Sequence, residues 1–425
     1  MINFAREIRT AMWFRPSVYS LLAAVVALLI AGIDQSIPES AARLLPIIDI
    51  EAAKDLLRLV AAGMLTVTTV TLSVTMLVLN LTANQASPRA VPELMADPVT
   101  QNALSTFLAT FVFAVTALGL FGFKAVSDAG VTLIFAVAVF LGIWAIRYLV
   151  QWMHHVAASS KLNSIIVKIH NQAESCLKNY LSAAPHESGD FPALDGDDGE
   201  TIHAGKTGYV QLINIETLVQ SADSLDVCVQ LHVAEGDFIH DTSALMTVWG
   251  EKSADGKVQA RLCRSIALGS ERTPESDPCL GIEILAEIAC RALSPGLNDP
   301  QSALVCINYL GALLIHAGRI PAAEYPVDRI KGGRVKRVVV SFDQLLIRAF
   351  RPVIRDGGAQ AEVVIRILAV LEEMSRTIST DHLQAISNEA GRAAEMARAK
   401  LSLDADREAV TRTIKAIDAA IRARR

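Results

Sequence analysis

In the first third of the chain, charged side chains gather into short clusters and leave four uncharged stretches, Pro16 to Ile33, Leu59 to Pro88, Pro98 to Phe123 and Ala129 to Ile146. Each approaches or exceeds the roughly 20 mainly apolar residues that a helix needs to cross about 30 Å of hydrocarbon. In lipid every backbone N–H and C=O must be paired inside the structure, which selects helices over open strands. The pattern predicts four transmembrane helices, at about 17–35, 57–82, 98–123 and 130–150, in a domain spanning residues 1–153.

Beyond that domain charges return at ordinary density and the period of the pattern changes. Val150 to Leu181 reads as a helix leaving the membrane, and Ser182 to Gly205 is a linker rich in Pro, Gly, Asp and Ser, so residues 154–204 are juxtamembrane helix and linker. Alternating apolar residues predict strands at Gly208 to Asn214, Asp226 to Val233 and Ala244 to Trp249, with a short helix at Ile215 to Ser224, giving a small β-rich module at 205–270. Residues 271–425 read as mainly helical, with helices at Gly281 to Ala292 and Gln301 to His316 and a strand at Val338 to Ser341. Three amphipathic helices start at Phe342, Ala359 and Thr380, and Val410, Ile414, Ile417 and Ile421 mark the buried stripe of the last helical segment. The fold class is a membrane α-helical domain of four transmembrane helices followed by an α+β cytoplasmic domain.

Charge sets the orientation. Arg6, Arg9 and Arg15 precede the first stretch against the single acid Glu7, whereas the loop after it carries Asp34, Glu39, Asp49, Glu51 and Asp55 with fewer cations. Basic residues near a membrane end mark the cytoplasmic side, so both termini are expected inside. Trp13, Phe14, Tyr19, Trp144, Tyr148 and Trp152 sit where aromatic rings favour the headgroup layer. No small-x-small cleavage site follows the first stretch, which predicts a retained signal anchor. All six cysteines fall after residue 175, in the half placed in the cytoplasm, and read as reduced, mostly buried thiols. A net charge of −5 speaks against a nucleic-acid partner.

Candidate chemistry concentrates in two places. The second stretch is rich in hydroxyls and amides along two helical rows, Thr68/Thr71/Thr75/Thr82 and Thr66/Thr69/Ser73/Asn80/Asn84. Thr68, Thr71, Thr75, Thr82, Asn80 and Asn84 are candidate pore-lining residues; the competing role is back-bonding to their own helix or gluing neighbouring helices. None of the four stretches contains Asp, Glu, Lys, Arg or His, which disfavours a proton-coupled pump and leaves a passive pore or a simple anchor. The second place is Leu293 to Pro300, where Arg291, Ser294, Asn298 and Asp299 form a candidate ligand site beside Glu287; the plainer role is a tight helix–helix turn capped by Asp299-Pro300.

Other motifs fail on spacing. Gly205-Lys206-Thr207 lacks the first glycine of a phosphate loop, because position 200 is Glu, and Asp195, Asp197, Asp198 and Glu200 would repel phosphate. His154, His155 and His170 have no zinc-type spacing. No catalytic residue, metal or cofactor follows from the pattern, and the chain is expected not to be an enzyme.

Leu79-Asn80-Leu81-Thr82-Ala83-Asn84-Gln85-Ala86-Ser87-Pro88-Arg89, running on through Asp97-Pro98-Val99-Thr100-Gln101, and Arg291-Ala292-Leu293-Ser294-Pro295-Gly296-Leu297-Asn298-Asp299-Pro300 resemble the bacterial predicted membrane proteins of domain of unknown function 2254. The likeness covers nearly the whole chain in the same order. It implies a multi-pass protein of the bacterial inner (plasma) membrane and brings no residue roles with it.

Two functions are therefore expected in competition. One is a homo-oligomeric passive channel whose cytoplasmic domain regulates opening. The other is a membrane-anchored sensor or scaffold that binds a cytoplasmic ligand or partner.

Overall fold

Each uncharged stretch forms the body of a helix, and charged residues extend α1, α2 and α4 beyond it: α1 is Phe14–Asp34, α2 Ile50–Gln85, α3 Pro98–Gly122 and α4 Asp128–Ser159. The computed structural model describes residues 13–34, 46, 48–85, 97–123, 125–159, 162–182, 199–250, 255–321, 328–331 and 334–424. The chain divides into two units, residues 1–164 and 165–425.

In the first unit α3 is the central helix, packed against α1, α2 and α4. It begins at Asp97, whose carboxylate accepts from the backbone N–H of Thr100 (3.0 Å) and from the Thr100 hydroxyl (2.7 Å), with Pro98 in the first turn, where its missing N–H costs nothing. Two apolar clusters fill the bundle. Phe113, Ala114, Ala117 and Phe121 meet Ala27, Leu57, Val131 and Ile134 in one, and Phe107 and Ala103 meet Ala145 and Trp152 in the other. The two ends of the bundle are tied differently. At one, Arg15 donates to Asn102 Oδ1 (3.1 Å) and His155 Nε2 lies 3.0 Å from Asp97. At the other, Asp34, only 6% exposed, accepts from the backbone N–H and the hydroxyl of Ser127, both at 2.6 Å.

The helix α5, Leu162–Ser182, leads into the second unit. The expected helix from Val150 to Leu181 is helical at each of its described residues, in α4 as far as Ser159 and in α5 from Leu162, and positions 160–161 lie outside the described residues. There follow β1 (Glu200–His203), β2 (Gly208–Ile213), α6 (Ile215–Leu225), β3 (Cys228–Leu231), β4 (Phe238–Ile239), β5 (Ala244–Trp249), α7 (Gly256–Cys263) and β6 (Ile266–Gly269). Next come α8 (Leu280–Ala292), α9 (Pro300–Gly318), β7 (Asp328–Lys331), β8 (Val335–Val338), α10 (Phe342–Gly357), α11 (Ala361–Thr377), α12 (Leu383–Lys400) and α13 (Asp404–Arg422).

One sheet has the order β1-β5-β3-β8-β7, antiparallel except where β3 runs parallel to β8, and a second has the order β4-β2-β6. Val210, Leu218, Val229, Leu231, Met246, Val248, Leu262 and Val335 form their shared core. Fully burying each such Val, Leu or Met contributes roughly 1.5–3 kcal/mol. The helices α8 to α13 pack on one another. Arg351 of α10 clamps α12 through two bonds, 3.0 and 2.8 Å, to Glu389 Oε1.

Two expectations need correction. The strand placed at Val338 to Ser341 ends at Val338, because the N–H of Val340 leaves the ladder to donate to the Tyr180 hydroxyl (3.1 Å) and Ser341 caps α10 in a reciprocal box with Gln344. The last three helices are four, because the chain turns extended at Leu401, whose carbonyl accepts from Arg407 Nε and Nη2. Among the described residues five helices are long and apolar enough to cross a membrane, α1 to α4 at the expected stretches and also α9.

Candidate functional site

The hydroxyl-rich α2 separates its two rows by environment. Thr68, Thr71 and Thr75 lie on the bundle side: Thr71 is fully buried, the other two half-buried. Thr66, Thr69, Ser73 and Asn80 lie on the opposite side and are exposed in the single chain. Thr66, Thr68, Thr69, Ser73 and Thr75 each donate to the carbonyl four residues earlier, at 2.7 to 2.9 Å. This is the back-bonding that spares a helical hydroxyl from needing an outside partner. Two groups on the helix escape it. The buried Thr71 hydroxyl has no partner, and among the described residues the Asn80 amide has none either. The side chains of Thr82 and Asn84 lie outside the described residues.

α3 carries a second polar row that sequence reading passed over. Thr100, Gln101, Ser105, Thr106 and Thr110 are all buried inside the bundle. Ser105, Thr106 and Thr110 bond back to Gln101, Asn102 and Thr106. Like the α2 rows they are hydroxyls and amides in an uncharged stretch, so composition alone could not tell the inward residues from the outward ones.

In the second unit the loop between α8 and α9 is built by its own backbone. Leu297 and Asn298 N–H donate to the Ser294 carbonyl and Asp299 N–H to Ala292. Asn298 takes the left-handed conformation, φ +45°, which Asn tolerates better than most residues. Its Oδ1 accepts from Gln360 at 3.4 Å. Asp299 accepts from the N–H (3.2 Å) and hydroxyl (2.6 Å) of Ser302, and these bonds hold its carboxyl below the usual range. Ser294 and Arg291 are half-buried and the segment 295–299 is exposed. The polar groups of the loop are thus largely engaged in shaping the helix–helix turn.

An ion network built on the buried Asp277 is the strongest electrostatic feature of this unit. Asp277 is 2% exposed and pairs with Arg272 Nε at 2.5 Å. Its other oxygen accepts from the N–H groups of Cys279 (2.9 Å) and Leu280 (3.2 Å), which starts α8. Arg272 also bonds Glu283, and Glu283 bonds Arg348 of α10. The turn after β3 closes over this network at Gly236, with φ +94°, where a Cβ would come within 2.2 Å of Asp277 Oδ2. Beside it, burial pushes the Glu235 carboxyl up, against the pull of Arg337. Burial also pushes the thiols of Cys176, Cys279, Cys290 and Cys306 up to about 12, so almost no thiolate forms at neutral pH and these cysteines are poor nucleophiles. Among the described residues no three His, Cys, Asp or Glu side chains converge at metal-binding distance. Arg272, Asp277, Glu283 and Arg348 stand apart in sequence at no regular period, so no local signal announced them.

These features define a membrane protein with several candidate spans joined to a separately cored unit of helices and sheets. The chain belongs to the family of predicted membrane proteins of domain of unknown function 2254, whose model matches residues 9–373. The uncharacterized proteins Mb1321c of Mycobacterium bovis and Rv1290c of Mycobacterium tuberculosis are each 25% identical over 268 residues, covering 61% of this chain and 51% of the relative. The chain thus spans about half the length of the curated relatives it matches. No solved structure matches it.

Proposed function

We propose that this protein is a passive channel of the bacterial inner membrane, assembled from several copies that place α2 around a wet path. The observation that carries the reading is the outward row of Thr66, Thr69, Ser73 and Asn80 on α2. Hydroxyls satisfied within the helix tolerate lipid, but an exposed amide such as Asn80 is stabilised by water or by a polar partner on a neighbouring helix. A second copy supplies both at once. The uncharged cores of α1 to α4 suit passive conduction, since coupled transport and voltage sensing draw on ionisable groups inside the membrane.

In this reading α1 to α4 cross the membrane with both termini in the cytoplasm. α9, the fifth apolar helix, is a core helix of the second unit, because Cys306, Ile307, Leu310, Leu313 and Leu314 are buried there and it packs on α8, α10 and α11. The second unit lies in the cytoplasm and regulates opening. The wet row is Thr66, Thr69, Ser73 and Asn80 rather than Thr68, Thr71 and Thr75, which the bundle covers. The test is ion flux into liposomes holding the full chain. Wild type passes ions, and Ser73→Leu and Asn80→Leu lower the flux by well over half while Thr68→Val leaves it unchanged. Flux absent under varied salts, or insensitive to Ser73→Leu and Asn80→Leu, refutes the channel and leaves the membrane-anchored sensor.

A further inference from the structure

We propose that the groove between α12 and α13 binds a compact phosphate-bearing anion. The groove has a volume of about 660 Å³ and is lined by Arg398 of α12 with Arg407, Arg412 and Lys415 of α13, beside Asp404 and Glu408. Four cations therefore face two carboxylates, in a chain whose formal net charge is −5. No large apolar side chain lines the groove, which rules out a greasy occupant and selects a hydrophilic one.

The cations are not all explained by folding. Arg407 is spent on structure, with Nε and Nη2 on the Leu401 carbonyl (2.9 and 2.6 Å) and Nη1 on Asp404 (3.2 Å). Arg398 sits in the last turn of α12, where a cation complements the helix dipole. Arg412 and Lys415 stand in the middle of α13, where no such benefit exists, one turn apart on the same side. Arg398, Arg412 and Lys415 are exposed and have no ion-pair partner among the described residues. Two unengaged guanidinium forks and an ammonium around one groove are the donor set that phosphate oxygens take, in bidentate bonds from arginine and as a point charge from lysine. The groove lies beyond residue 373, outside the stretch that matches the family. It is independent of the channel reading.

Either a soluble phosphate compound or an anionic lipid headgroup supplies this chemistry, and one experiment separates them. The full chain in phosphatidylcholine nanodiscs is titrated with inorganic pyrophosphate by calorimetry at low ionic strength. The expected result is saturable one-to-one binding that weakens at least about tenfold in Arg398→Gln/Arg412→Gln. Removing two distant exposed charges, in Lys206→Gln/Lys257→Gln, should leave it unchanged. In nanodiscs containing phosphatidylglycerol, a site for soluble ligands still takes pyrophosphate, whereas a headgroup site is already filled and the titration goes flat; each outcome upholds the site and names its source. Should the arginine variant lower the melting temperature, Arg412→Gln/Lys415→Gln serves in its place. No binding by wild type in phosphatidylcholine, or equal binding by wild type and the arginine variant, overturns the proposal.

Discussion

The two units dispose of their polar side chains in opposite ways. In the first, Thr and Ser hydroxyls on α2 and α3 bond within their own helices, and among the described residues few polar contacts cross from one element to another. In the second, Arg272, Asp277, Glu283 and Arg348 join the segment before α8 to α8 itself and to α10, and Arg351 with Glu389 joins α10 to α12. The difference teaches what each unit is fixed for. Locally satisfied helices can meet new neighbours without stranding a charge, whereas a network shared among elements locks one arrangement, because removing Arg272 leaves the buried Asp277 carboxylate without its cation.

The largest expected effect breaks that lock. Asp277→Ala removes both the partner of Arg272 and the acceptor at the start of α8, so hydrogen exchange at the Cys279 and Leu280 amides should report a loss of about 3–5 kcal/mol. A loss below about 1 kcal/mol would show that Arg272 finds water and that the network is not the lock. Next in size, Gly236→Ala forces a Cβ onto Asp277 from a left-handed backbone and should cost about 1–3 kcal/mol by the same readout.

The pH dependence follows from Glu235. Its carboxyl binds a proton more tightly folded than unfolded, so this group's contribution is fully present below the unfolded pKa and falls as pH rises toward the folded one. Glu235→Gln should therefore raise the melting temperature at pH 8 relative to wild type and change little at pH 4. The reverse pattern would mean that Arg337 holds the carboxylate charged. The smallest effect belongs to the first unit. Thr110→Val on α3 removes a hydroxyl that bonds only its own helix, and should shift stability by no more than about 0.6 kcal/mol.

The elements that sequence displayed best were those with local causes. Asp97-Pro98 and Asp299-Pro300 announced the starts of α3 and α9, and the charge-free runs announced α1 to α4, because capping and hydrophobic length are written within a few adjacent residues. Features that depend on partners far along the chain stayed hidden. Nothing local shows that β8 pairs parallel with β3, that Val340 turns aside to Tyr180, or that Asp277 is linked to Arg348 through Arg272 and Glu283. The candidate site was half legible. Both threonine rows of α2 could be drawn from spacing, but which one faces outward depends on where α3 packs, and the equally polar row of α3 was indistinguishable from them until packing buried it.

The central claim is that the outer row of α2 faces another copy across a wet axis. Determining the assembled structure of the full chain in nanodiscs tests it most directly. The expected result is a symmetric oligomer with Thr66, Thr69, Ser73 and Asn80 turned toward the symmetry axis. A monomer, or an oligomer in which that row meets lipid, would contradict it.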